Sequence, residues 1–209
     1  MDLAVGINGA YDFVNGQYIA LGDHAHLGTT EASIKNLEGK NTAINGSNQV
    51  QGFLRENSVP SIDLTVNAPG EKAMAAMLGE NQTTDKGGFY IPGDISPVNF
   101  LALTTPIYSL HKELLLIFPA CRVTFTTLDL KTNTETKKNT TPMKFTFDSA
   151  NSDLIMGAAW AHKTIEAGTA LQVLQDAFNL STAQQIAGDY PLTDSVNVTT
   201  PGSNAPKSN

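Results

Sequence analysis

The sequence predicts a mainly β protein: an antiparallel β-sandwich or barrel of short strands with one flanking α-helix. Three observations carry this. Of 209 residues, 23 are Thr and 17 are Asn. Charged residues make up only 16%, against roughly 25% in ordinary globular chains, so uncharged polar and strand-favouring residues cover the surface. Between residues 61 and 147, short apolar runs follow one another with Pro and Gly between them, whereas helical periodicity is confined to short segments. The length suits one domain with appendages, or two small ones.

Residues 1–16 read as an N-terminal arm rich in Gly, Asn and Ala, followed by one short strand over 17–21. Residues from about 38 to 52 read as a long loop. Between Gly39 and Gly52 there is one Lys, no acid, and only Ile44 and Val50 as large apolar residues among small polar ones. Loops of that length inside a compact domain are uncommon unless functional. At 61–66 the pattern becomes strict, with Ile62, Leu64 and Val66 on one face and Ser61, Asp63 and Thr65 on the other. That is a strand with one face buried and one wet.

A helix is predicted next. Asn67 or Ala68 takes the cap position, Pro69 the first turn, and Glu71 follows where the macrodipole favours an acid. Met74, Met77 and Leu78 recur at helical spacing, and Gly79 ends the run. So short a helix requires a sheet to lie against. Strands are then predicted over 88–91, 98–103, 112–118, 120–130 and 143–147, with Pro92-Gly93, Thr105-Pro106 and Pro119 as breaks. The basic stretch 131–144 reads as a solvated hairpin tip or as a salt-bridging segment for an acidic neighbouring subunit. After residue 150 the character changes. Thr169-Ala170-Leu171-Gln172 has the form of a capping box opening a short helix over about 169–180, and Ser181–Gln184 repeats that form. Residues 191–209 are Pro, Ser, Thr and Asn with little apolar content, a flexible tail. The predicted organisation is therefore a β domain over 1–150 and a C-terminal extension over 151–209.

Charge and chemistry exclude more than they suggest. A net charge of −7 argues against coating nucleic acid. The longest apolar run, residues 114–118, falls far short of the roughly 20 residues of a membrane helix. Residues 1–9 lack a basic segment followed by an apolar run, and Cys121 is the only cysteine, so synthesis and first residence in a reducing cytoplasm is the expectation. His24 and His26 could be half of a zinc site, but no cluster at ligand spacing completes it. Cys121 with His111 would suit a nucleophile and base, yet Cys121 sits in strand-core surroundings. Asp148 and Asp153 flank a polar turn where carboxylates are ordinarily solvated. No phosphate loop and no nucleophile elbow occurs. The prediction is a protein that is not an enzyme, with no cofactor and no metal.

In their order, four segments resemble the major tail (tail tube) proteins of long, non-contractile-tailed bacteriophages. They are Val5-Gly6-Ile7-Asn8-Gly9-Ala10-Tyr11, the strand–helix unit from Ile62-Asp63-Leu64-Thr65-Val66 to Met74-Ala75-Ala76-Met77-Leu78-Gly79, the strands from Val98-Asn99-Phe100-Leu101-Ala102-Leu103 to residues 120–125, and Thr141-Pro142-Met143-Lys144-Phe145-Thr146-Phe147. The resemblance spans roughly residues 5–150 and lapses after Asp148. It implies a tail-tube-type β-sandwich with a flanking helix. It further implies hexameric rings stacked into a tube through which DNA is ejected without specific binding. The implied partners are the chain itself and other tail proteins such as tape measure, distal tail and terminator proteins, within a virion tail assembled in the host cytoplasm.

Several features of the residues agree with such a role. An arm and a long loop are what an open-ended assembly uses to reach neighbours, and unpaired strand edges can close against adjacent subunits. An acidic lumen would repel sliding DNA. Ile44, Val50 and Phe53, stranded in polar surroundings, are the candidate self-assembly residues. Trp160, the sole tryptophan, is either a packing anchor or an interface residue. The alternative reading is a carbohydrate- or host-binding β-sandwich of the virion, for which an exposed aromatic platform or clustered acids would speak. Tube proteins of contractile or secretion machines share the expected fold.

Overall fold

A computed structural model describes residues 9–21, 28–46, 49–67, 69–84, 87–107, 111–128 and 142–186. The chain starts with a hairpin, β1 (Gly9–Val14) and β2 (Gln17–Ala20), turning through Asn15 and Gly16, both at positive φ. Such a two-residue turn matches the twist of the paired strands. Three further strands follow: β3 (Thr29–Lys35), β4 (Asn41–Gly46) and β5 (Gln49–Arg55). Next come β6 (Ser61–Asn67), α1 (Glu71–Leu78) and a small hairpin of β7 (Asn81–Gln82) with β8 (Tyr90–Ile91). The remainder is β9 (Asn99–Ile107), β10 (Lys112–Leu128), β11 (Pro142–Ser149), β12 (Ala161–Glu166), α2 (Ala170–Phe178) and β13 (Gln184–Gln185).

Nine strands form one sheet in the order β13-β2-β1-β9-β10-β11-β6-β3, with β12 also paired to β10. All these pairs are antiparallel except β13 with β2. The long β10 divides it. Its first part lies between β9 and β12, and its second part pairs with β11. The register shifts between Phe118 and Cys121, around Pro119. Proline cannot donate to a ladder, so a bulge is where a strand tolerates it. The sequence predicts two strands broken at Pro119; the chain instead runs through it and bends.

Residues from both halves share one buried cluster. Ala10, Val14, Leu101 and Leu103 come from one side, and Ile62, Leu64, Phe145 and Phe147 from the other, with Ala73 and Met77 of α1 beside them. The fold is thus a β-sandwich with a flanking helix, and among the described residues it does not close into a barrel. A second cluster lies on the opposite face of β1 and β9. There Phe13, Phe100, Ala102 and Ile117 meet Ala170 and Leu174 of α2. Phe178 packs edge-on against Phe100 at 5.0 Å between ring centroids.

The helix predictions hold at their C-terminal ends, and the start shifts only in α1. Gly79 closes α1 in the left-handed conformation at φ 72°. The N-cap is Gly70, with no side-chain cap, so α1 begins after Asn67 and Pro69 rather than on them. In α2 the predicted capping box does not form: Thr169 Oγ1 donates to the Glu166 carbonyl instead. The Ser181–Gln184 repeat of that pattern opens no helix either, since Gln184–Gln185 is strand β13.

Two predicted appendages are strands. Residues 9–14 of the expected arm form β1, hydrogen-bonded on both sides and buried at Ala10, Asp12, Phe13 and Val14. Residues 1–8 of that arm lie outside the described residues. The expected long loop at 38–52 carries β4 and β5. Strands β3 and β12 go unpredicted. The segment after residue 150 is stitched to the sheet. Ser149 Oγ donates to the Ala159 carbonyl at 2.7 Å, β12 pairs along β10, and α2 covers the second cluster.

Candidate functional site

The β4–β5 hairpin is a two-stranded sheet of its own, with no pairing to the main sheet among the described residues. It leaves the body at a narrow root. The Glu56 amide donates to the Lys40 carbonyl at 2.9 Å, and Gly39 packs directly on the Glu56 backbone carbonyl. A Cβ at residue 39 would collide with that carbonyl, so the root requires glycine.

Along the hairpin, Ala43 faces Phe53 and Ile44 faces Gly52, while Val50 pairs with Asn45 beyond a bulge. Cross-strand partners share a face, so Phe53 and, past the bulge, Val50 lie with Ala43 and Asn45 on one face, and Ile44 and Leu54 lie on the other. All are exposed: Phe53 at 71%, Val50 at 56% and Ile44 at 50%. An isolated two-stranded hairpin is marginal in water. One with apolar residues on both faces has the composition of an element that is completed by a neighbour.

The sequence candidates therefore separate. Ile44, Val50 and Phe53 come together on this projection. Trp160 does not join them: it is half-buried against the main core, its Nε1 donates to the Leu37 carbonyl at 2.7 Å, and its ring stacks on His162. Leu37 lies two residues before Gly39, so Trp160 ties the 150–160 loop to the hairpin's root.

Further unpartnered surface goes beyond those candidates. Leu54 and Val59 are exposed at the hairpin, and Phe89, Ile91, Ile95 and Val98 are exposed around the β7–β8 hairpin. Among the described residues, β3 pairs only with β6, and β12 only with β10, leaving a free edge on each. On β3 the Lys35 ammonium lies 2.8 Å from Asp63 of β6, and Thr146 Oγ1 of β11 also donates to Asp63. The Lys35 and Thr146 hydrogen bonds hold the Asp63 carboxyl below its ordinary range.

The residues considered for chemistry are dispersed. Cys121 and His111 stand ten residues apart on one extended run, roughly 30 Å at the usual rise of a strand. Burial pushes the Cys121 thiol up to about 12. Alkylation of Cys121 should accordingly be blocked in the native chain and proceed on addition of denaturant, followed by mass spectrometry. Asp148 and Asp153 are both exposed. Among the described residues no three of His, Cys, Asp and Glu group as a metal site, and no helix is long and apolar enough to cross a membrane. His24, His26 and residues 131–141 lie outside the described residues.

The family model described as phage tail tube protein matches residues 9–179. The chain belongs to the phage tail tube protein family. The match runs to the end of α2, past the point where the sequence resemblance lapses. A solved structure, the cryo-EM anti-feeding prophage cap (AFP tube terminating cap), is similar at 13% identity and TM-score 0.39, over 79% of this chain and 94% of that one. No curated protein matches. As a tail tube protein the chain is a structural component of the phage virion tail, and its family implies association with itself and with other tail proteins.

Proposed function

We propose that this tail tube chain assembles into hexameric rings that stack as a hollow tube, the conduit for DNA ejection into the host. The observation that carries the reading is the β4–β5 hairpin, with Ile44, Val50 and Phe53 exposed on an element the chain itself does not support. A hairpin seated on a different surface of the next subunit makes a heterologous contact, the kind that generates rings and open stacks. Burying each of these side chains contributes roughly 1.5–3 kcal/mol, enough in combination to offset the marginal stability of the free hairpin. Free edges on β3 and β12 supply backbone groups that a neighbouring strand can pair. Trp160 acts indirectly, by fixing the root from which the hairpin projects.

Within this reading, ring assembly takes place in the host cytoplasm, and tape measure, distal tail and terminator proteins meet the inside and ends of the tube. The net charge of −7, repeated around each ring, makes an acidic object from which DNA phosphates are repelled. Negative-stain electron microscopy across a concentration series tests the proposal. Wild-type chain gives rings or tubes of uniform diameter, and the combined Ile44→Ser, Val50→Ser and Phe53→Ser variant stays dispersed at the same concentrations. Monodisperse wild-type particles throughout would overturn the tube reading and return weight to a host-binding module.

A further inference from the structure

Asp12 of β1 and Asn99 of β9 sit side by side in the sandwich core, each 0% exposed. Asn99 Nδ2 donates to Asp12 Oδ2 at 2.7 Å and to the Met77 carbonyl, near the end of α1, at 3.3 Å. Two buried oxygens remain: Asp12 Oδ1 and Asn99 Oδ1 have no hydrogen-bond partner among the described residues. An ionised carboxylate can only accept, so it would leave both orphaned and place an uncompensated charge in apolar surroundings. One hydrogen resolves both. We propose that Asp12 is carried as the neutral carboxylic acid, with its Oδ1–H donating to Asn99 Oδ1. The two side chains then close a ring of two hydrogen bonds. That ring holds the end of α1 to the sheet through the Met77 carbonyl, and loss of the proton to solvent is a pH-set release of the helix.

Among the described residues the neighbours offer no counter-charge. β2 and the rest of β9 carry no charged residue. On α1, Glu71 and Lys72 are exposed in the first turn, away from Met77. On β10, Lys112 and Glu113 lie at its far end, Arg122 is exposed, and the buried Cys121 keeps its proton across the physiological range. Burial consequently pushes the Asp12 carboxyl from 3.8 to about 7, with the Asn99 hydrogen bond opposing only in part. Because the folded value lies above the unfolded one, the stabilisation is complete below about 4. It is lost progressively as pH rises to about 7.

Urea unfolding of the full chain between pH 5 and 9, for wild type and Asp12→Asn, reads this directly. The side-chain amide of the variant can donate to Asn99 Oδ1 in the proton's place, which keeps the ring and removes its titration. Relative to the variant, the folded-to-unfolded ratio of wild type should fall about tenfold per pH unit up to neutrality and then level off. Parallel pH profiles would overturn the proposal. A second reading needs no variant. Infrared spectra of wild type with carbon-13 aspartate at pH 6 should show one protonated aspartic acid, and full ionisation of every aspartate there would equally sink it. For the release itself, amide exchange of α1 relative to α2 should rise across the same pH window. An unchanged ratio refutes the latch.

Discussion

Phe147→Ala is expected to destabilise the chain by about 3–5 kcal/mol, on the scale of large-to-small substitutions in closed cores. Phe147 is fully buried on β11, opposite Ile62 of β6 and Val123 of β10, in the cluster that both halves of the sandwich share. A domain of this kind is stable by only about 5–15 kcal/mol, so the variant loses a large part of the total. The denaturation midpoint should drop with an unchanged slope. Phe53→Ala is the matched control, the same change at a residue 71% exposed. It should change the stability of the unassembled chain by no more than about 0.5 kcal/mol. Equal losses from the two would mean that the hairpin is part of the folding core.

Gly39→Ala should have the second large effect, in assembly more than in folding. The new methyl group meets the Glu56 carbonyl, a backbone atom that cannot swing aside like a side-chain tip. The two strands leaving the root must separate, which breaks the Glu56–Lys40 hydrogen bond and re-aims the hairpin. Overpacking of this kind costs about 1–3 kcal/mol. Cys121 lies in the shared core, away from residue 39 itself, so it should stay protected from alkylation. Tubes should fail to form under conditions where the wild-type chain polymerises. Normal tubes from Gly39→Ala would show that hairpin direction is irrelevant to assembly.

What the residues reveal depends on which faces they bury. In β6, one face is buried and one is wet, so Ile62, Leu64 and Val66 alternate visibly with polar residues. In β1, both faces are covered: Ala10 and Val14 by the shared core, Phe13 by the α2 side. No alternation survives there, and Asp12 makes the strand look like a polar arm. The Asn15-Gly16 pair is the local sign that would have marked its hairpin.

The β4–β5 hairpin is hidden for the opposite reason. Neither face is buried within the chain, so its composition is that of a loop and only backbone pairing makes it strand. Its apolar residues could still be picked out, because Ile44, Val50 and Phe53 have no evident local partners. The position of Trp160 could not, since its hydrogen bond reaches Leu37 across 123 residues. Neither could the Asp12–Asn99 pair, whose members are 87 residues apart.

The unbroken run of β10 through both halves of the sandwich has a mechanical consequence. Its 17 residues are laddered to β9 and β12 at one end and to β11 at the other, with the bend at Pro119 between them. A load taken up on one half passes to the other along covalent bonds rather than across sliding side chains. The halves cannot shear apart without breaking the ladders that share this strand. The chain is therefore stiff as a unit, and in the proposed tube bending would fall at the seams between subunits.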